Sequence, residues 1–161
     1  MPVIQISTEI NAPIERVFDL CRSIELHQAS AGKSGERAVA GVTSGLIGQG
    51  ETVTWEATHF FIRQRLSVRI TVFDQPRFFE DEMIQGAFRR FTHQHFFEPV
   101  AAGTKMSDTF DFDSPFGLLG QIVDRLFLAG HMRRFIMARN KVLKEVAETD
   151  DWKKFLTAPT R

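Results

Sequence analysis

Residues 113–148 read DSPFGLLGQIVDRLFLAGHMRRFIMARNKVLKEVAE. Asp113-Ser114-Pro115 is a helix-start signal, with Ser114 as the N-cap and a proline in the first turn. Helical patterning then runs to Glu148, roughly 30 residues or about 45 Å at ~1.5 Å per residue, far beyond the ~11–12 residues of an average helix. Everything upstream of Phe112 is strand-like or short. A helix of this length at the end of a small β-rich chain is the element on which the sheet closes, and the space between the two is where function is to be sought.

The apolar face of this helix changes along its length. Leu118, Leu119, Ile122, Leu126 and Ala129 share one face. Met132, Phe135, Ile136, Val142, Leu143 and Val146 share another, about a quarter turn away at ~100° per residue. Gly130 sits at the junction, which predicts a kink or break there. Arg139 falls near the centre of the second face, so an inward guanidinium wanting a carboxylate is expected.

Upstream, Val3–Ile10 alternates as a strand. Asn11-Ala12-Pro13 with Glu15 then opens a helix to about Arg22, and a second short helix covers about 24–31. Strands are expected at 36–42, 50–60, 65–73, 78–86, 90–98 and 104–112. The short connections between them imply an antiparallel meander, because parallel crossovers need a dozen or more residues. The glycines Gly45, Gly48 and Gly50 lead into a strand with no lysine-serine pair after them, so they mark a turn and not a nucleotide loop.

Alternation assigns faces. Val53, Trp55, Ala57 and His59 point inward, opposite the polar set Thr52, Thr54, Glu56 and Thr58. Leu66, Val68, Ile70 and Val72 point inward, as do Phe91, His93, His95 and Phe97. So do Met106, Asp108, Phe110 and Phe112. For 78–86 two registers are open. A four-residue connection at 74–77 pairs Val72 with Phe79 and turns Phe79, Asp81, Met83 and Gln85 inward, and a slip of one residue reverses this. A hairpin turn centred on Ala101–Ala102 sets Asp108 directly opposite His95, at the ~4.5–5.5 Å Cβ spacing of cross-strand neighbours.

Composition bounds the function. Lys+Arg and Asp+Glu are 20 each, which argues against nucleic acid or an anionic membrane as a standing partner. Sixteen Phe, two Trp and no Tyr supply apolar area without a phenolic handle, suited to a greasy interior. The single cysteine, Cys21, excludes an internal disulfide and reads as a small buried hydrophobe. No apolar run reaches transmembrane length and no secretory leader is visible, so a cytoplasmic protein is expected, monomeric or homodimeric. His93-x-His95 is a metal-ligand pair in outline. With no third ligand at reliable spacing it is read as a hydrogen-bonded pair, without metal or cofactor. His27 and His131 read as surface residues, and Arg133, Arg134, Lys141 and Lys144 as a solvated helix face.

The order strand, two short helices, meander, long helix resembles the helix-grip fold of the START-like superfamily. The runs Thr8-Glu9-Ile10-Asn11-Ala12-Pro13-Ile14-Glu15-Arg16-Val17-Phe18, Gly50-Glu51-Thr52-Val53-Thr54-Trp55 and Gly86-Ala87-Phe88-Arg89-Arg90-Phe91-Thr92-His93-Gln94-His95-Phe96 resemble its bacterial SRPBCC branch, which includes birch-pollen-allergen-like proteins and polyketide cyclases or dehydratases. The resemblance implies an α+β domain over residues 1–148. Its antiparallel sheet of six to seven strands wraps around the C-terminal helix, two short helices follow the first strand, and 149–161 form a polar tail. It also implies a cavity that binds a hydrophobic or aromatic small molecule, of lipid, polyketide or isoprenoid type, as carrier or sensor.

The expected apolar wall comprises Trp55, Phe79, Met83, Phe91 and Phe97, with Met106, Phe110, Met132, Phe135 and Ile136. The expected polar end comprises His59, Asp81, His93, His95, Asp108 and Arg139. Two alternatives remain open: a cyclase- or dehydratase-type enzyme using His95 and Asp108 as general acid–base, and a regulatory protein-interaction module. No defined catalytic signature is present, and the fold alone does not decide among them.

Overall fold

A computed structural model describes residues 3–59, 61–113 and 127–156, without the side chains of Lys33 and His59. Strand β1 (Val3–Ile10) is followed by α1 (Ile14–Cys21), α2 (Ile24–Ser30) and one 3-10 turn at Gly32–Ser34. A meander follows: β2 (Arg37–Gly41), β3 (Thr52–His59), β4 (Ile62–Asp74), β5 (Phe78–Gln85), β6 (Arg90–Val100) and β7 (Gly103–Asp113). The C-terminal helix α3 is described over Ala129–Glu148, then a 3-10 turn at Asp150–Trp152 and a short α4 (Lys153–Leu156). The seven strands form one antiparallel sheet in the order β1-β7-β6-β5-β4-β3-β2. This is the helix-grip arrangement, α+β, with one sheet face turned toward the helices.

The predicted hairpin at Ala101–Ala102 is present and pairs His95 with Asp108. Gly103 follows with φ of 144°, and a Cβ there would lie 2.2 Å from the Ile10 carbonyl oxygen. Only glycine lets that turn approach the end of β1 so closely. The expected β4–β5 register holds at Ile70↔Asp81 and fails one residue later. Thr71 is bulged out, so Val72 pairs with Glu80 and Phe73 with Phe79. Val72 therefore turns to solvent (44% exposed) and Phe73 packs inward, reversing the expected orientation of both. Phe79, Asp81 and Met83 keep the inward side, while Gln85 at the strand end is exposed.

Asn11 does not cap α1. Pro13 occupies the N-cap without a side-chain bond, and the Asn11 N–H donates to Glu148 Oε1 at 2.9 Å. The chain there is pinned by Thr104 Oγ1, which donates to the Ala12 carbonyl at 2.8 Å. Of the predicted long helix, the arm carrying Ser114, Leu118, Leu119, Ile122 and Leu126 lies outside the described residues. Phe127 and Leu128 enter α3 through a π-type turn, just before Gly130. The tail folds back as far as Leu156, with the Arg16 guanidinium 4.6 Å from the Trp152 ring centre. No helix among the described residues is long and apolar enough to cross a membrane.

The inner face divides in two. At the β6–β7 turn end, α1 lays Val17, Phe18 and Leu20 on the sheet. Phe18 meets Phe73, Phe79 and Phe97 edge-on at 5.2–5.5 Å between ring centres, a geometry that aromatic quadrupoles favour. Toward the other end the sheet, α2 and α3 leave a space between them.

Candidate functional site: a walled cavity with a histidine–aspartate floor

That space is a cavity of about 100 Å³ between the sheet, α2 and α3. Trp55, Phe79, Phe91 and Phe110 line it from the sheet, and Met132, Phe135 and Ile136 from the helix. Asp81, His93, His95 and Arg139 supply polar lining. Three of the expected wall residues lie elsewhere. Phe97 and Met106 are fully buried under α1, because that helix covers their end of the face. Met83 packs at the edge of the core without reaching the cavity. His59 lies outside the described side chains. Asp108 sits behind the histidines and lines a smaller void of about 10 Å³.

The polar floor is a chain of contacts. His93 Nε2 donates to Asp108 Oδ1 at 3.0 Å. His95 Nδ1 lies 3.0 Å from the same oxygen and 3.6 Å from Cys21 Sγ. The other nitrogen of His95, Nε2, donates to Asp81 Oδ2 at 3.2 Å. Asn140 Nδ2 donates to Asp108 Oδ2 at 2.6 Å. The two imidazoles lie 3.9 Å apart between ring centres, and His95 is stacked on Phe79 at 4.3 Å.

These contacts set the charges. Burial opposes a proton on His95, but the Cys21 sulfur and the Asp108 and Asp81 carboxylates outweigh it and hold its pKa well above the ordinary value. Burial, then the neighbouring His95 charge, pushes His93 down, so His93 is neutral. Burial works to raise both aspartates. Hydrogen bonds from the histidines override it, His95 for Asp81 and His93 first for Asp108, and hold both carboxyls below the usual range.

Arg139 reaches the cavity, but not as expected. It forms no ion pair with Asp81 or Asp108, and its Nε is buried with no hydrogen-bond partner among the described residues. Asn140 takes the Asp108 position instead. The buried residues of α3 are Ile136, Asn140, Leu143 and Ala147, a regular three-four spacing that places Asn140 on the helix seam and Arg139 beside it.

His27, expected at the surface, is also part of the wall. It is stacked on Trp55 at 3.8 Å and 11°, and its Nε2 lies 3.0 Å from Glu36 Oε2. Burial, followed by the Arg139 charge, lowers its pKa. Cys21, Glu36 and Phe88 also line the cavity, as do Arg22, Ser23, Ile24 and Ile47, all outside the reach of strand alternation. The available signal for His27 was its position three residues after Ile24, on the buried face of α2.

The family model for polyketide cyclase/dehydrase and lipid transport proteins matches residues 1–148. The chain belongs to this family. No curated protein matches it in sequence. Among solved structures, the protein TTHA0849 from Thermus thermophilus superposes with a TM-score of 0.73 at 20% identity, covering 89% of this chain and 95% of its own. Protein CV1439 from Chromobacterium violaceum gives 0.69 at 12% identity, covering 92% and 99%. The major latex-like protein 151 from Panax ginseng gives 0.68 at 10% identity, covering 92% and 98%. At these identities the likeness shows the helix-grip fold shared by the polyketide cyclase/dehydrase and lipid transport family, and function rests on the cavity.

Proposed function

We propose that the protein binds a hydrophobic or aromatic small molecule in the cavity, with the ligand's acceptor oxygen held by Arg139, and acts as a carrier or sensor. The observation that carries this reading is the buried Arg139 Nε, without a hydrogen-bond partner among the described residues, at a cavity where Trp, Phe, Met and Ile side chains stand beside the Asp81, His93 and His95 floor. A buried donor without a partner costs about 1–3 kcal/mol, more when charged. An oxygen arriving with the ligand removes that cost, whereas a purely apolar ligand leaves it. The volume of about 100 Å³ is below the ~300–1,000 Å³ of drug-sized sites. A compact ring system suits the cavity as described, and a lipid or polyketide chain requires its walls to move apart.

The test compares naphthol with naphthalene. Trp55 lines the cavity, so its fluorescence reports entry once Trp152 is replaced by Phe. The expected result is at least tenfold tighter binding of naphthol by the otherwise native chain, with the preference abolished in Arg139→Met. Equal affinity for the two probes in the native chain, or no binding of either, overturns the proposal. The acid–base enzyme reading has less support, because both nitrogens of His95 already face carboxylates and neither is free to take a proton.

A further inference from the structure

We propose that Asp81, His93 and His95 form a divalent-metal site of the two-histidine, one-carboxylate type, open toward the cavity. The spacing His93-x-His95 supplies two ligands on one strand face, and the fold supplies the third. β5 places Asp81 directly opposite His93. One ligand atom from each of the three residues lies within 4.8 Å of the other two. Zinc-type ions bind imidazole nitrogen and carboxylate oxygen at about 2.0–2.2 Å, so tetrahedral ligand atoms sit roughly 3.3–3.5 Å apart. The His95 Nε2 to Asp81 Oδ2 distance of 3.2 Å already matches such an edge.

What lies behind the three residues strengthens the assignment. Asp108 Oδ1 is 3.0 Å from His93 Nε2 and 3.0 Å from His95 Nδ1, and Asn140 fixes its other oxygen. One carboxylate thus holds one nitrogen of each ring, so that His95 Nε2 and His93 Nδ1 are the nitrogens it does not engage. This is the supporting shell metal-binding histidines require. Asp81, His93 and His95 line the cavity while Asp108 does not, so the open coordination positions face the space a ligand would enter.

An all-nitrogen-and-oxygen set containing two imidazoles selects Zn²⁺, Fe²⁺ or Co²⁺ over Mg²⁺ and Ca²⁺. This inference stands independently of the hydrophobic ligand.

The full chain, stripped with EDTA, is titrated with Co²⁺ and followed by visible absorption and by metal analysis after gel filtration. The expected result is one ion per chain with the intense bands of a four- or five-coordinate site. Asp81→Asn and His93→Gln are expected to weaken uptake at least tenfold, and His131→Gln to leave it unchanged. Should His93→Gln fail to fold by circular dichroism, Asp81→Asn alone decides. Absence of stoichiometric uptake by the folded native chain overturns the proposal, as does uptake that Asp81→Asn leaves intact.

Discussion

Asp108→Asn isolates the ionic character of the cluster while nearly preserving its shape. Asp108 is 2% exposed and accepts from His93 and Asn140, with His95 Nδ1 at 3.0 Å. An asparagine there can still accept from both histidines through its carbonyl oxygen, but its amide must then face the Asn140 donor, and the negative charge beside His95 is lost. Removing one partner of a buried pair costs about 3–5 kcal/mol. Because His95 can respond by losing its proton, the lower end applies, about 3 kcal/mol. With m near 2 kcal/mol/M in urea, the midpoint falls by about 1.5 M. The sign of the pH dependence follows from each group. The carboxyl of Asp108 is depressed, so its contribution is present above the unfolded value near 3.9 and is lost as pH falls toward the folded one. His95 is raised, so its contribution is present below about 6.5 and is lost as pH rises through the folded value. The gap between native and variant should therefore be widest at about pH 4.5–6.5 and narrow on the acid side by about 1.4 kcal/mol per pH unit. Urea melts in EDTA at stepped pH measure it. A gap under about 1 kcal/mol, or one that does not shrink in acid, would refute a charged His95 between two carboxylates.

On the outer sheet face, Glu56 is 5% exposed beneath Arg37, Arg63 and Arg65, whose hydrogen bonds lower its pKa to about 2. Its contribution is present above the unfolded value near 4.5 and disappears toward pH 2, so Glu56→Gln should flatten the acid limb of the native stability curve. Phe61 stands fully exposed at the β3–β4 turn with φ of 65°, and Phe61→Asn should stabilise the chain by about 1 kcal/mol, read as a rise in Tm. Phe97 is core and not cavity, so Phe97→Ala should cost about 3–5 kcal/mol in urea melts yet leave naphthol affinity within twofold.

The strands were legible because alternation and turn residues agreed along the meander, and the β6–β7 register followed from the length of one turn. His95 and Asp108 are opposed for that reason alone. What alternation cannot supply is the position of an element that crosses the sheet. Phe97 and Met106 alternate inward just as Phe91 and Phe110 do, but whether an inward side chain meets α1 or open space depends on where α1 lies. The helix-borne members failed in a different way. Asn140 has the three-four spacing of the buried seam, but an amide carries no hydropathy signal, so the arginine beside it drew the reading. His27 was hidden because a short amphipathic helix does not announce which sheet residue, here Trp55, it will cover.

The β4 bulge shows how a local irregularity that connection length does not reveal sets the boundary of the site. With an unbroken register after Ile70, Val72 faces Phe79 and Phe73 turns to solvent. Phe18 then loses one of its three edge-on rings, and a smaller valine takes its place. Bulging Thr71 reverses both residues and returns an aromatic ring to the inner face. That ring completes the Phe18, Phe73, Phe79 and Phe97 cluster, which fills the turn end of the face. Phe79 belongs to the cluster on one side and is stacked on His95 on the other. The aromatic cluster under α1 therefore meets the histidine–aspartate floor through Phe79, and the extra residue in β4 supplies the ring that fills that end of the face.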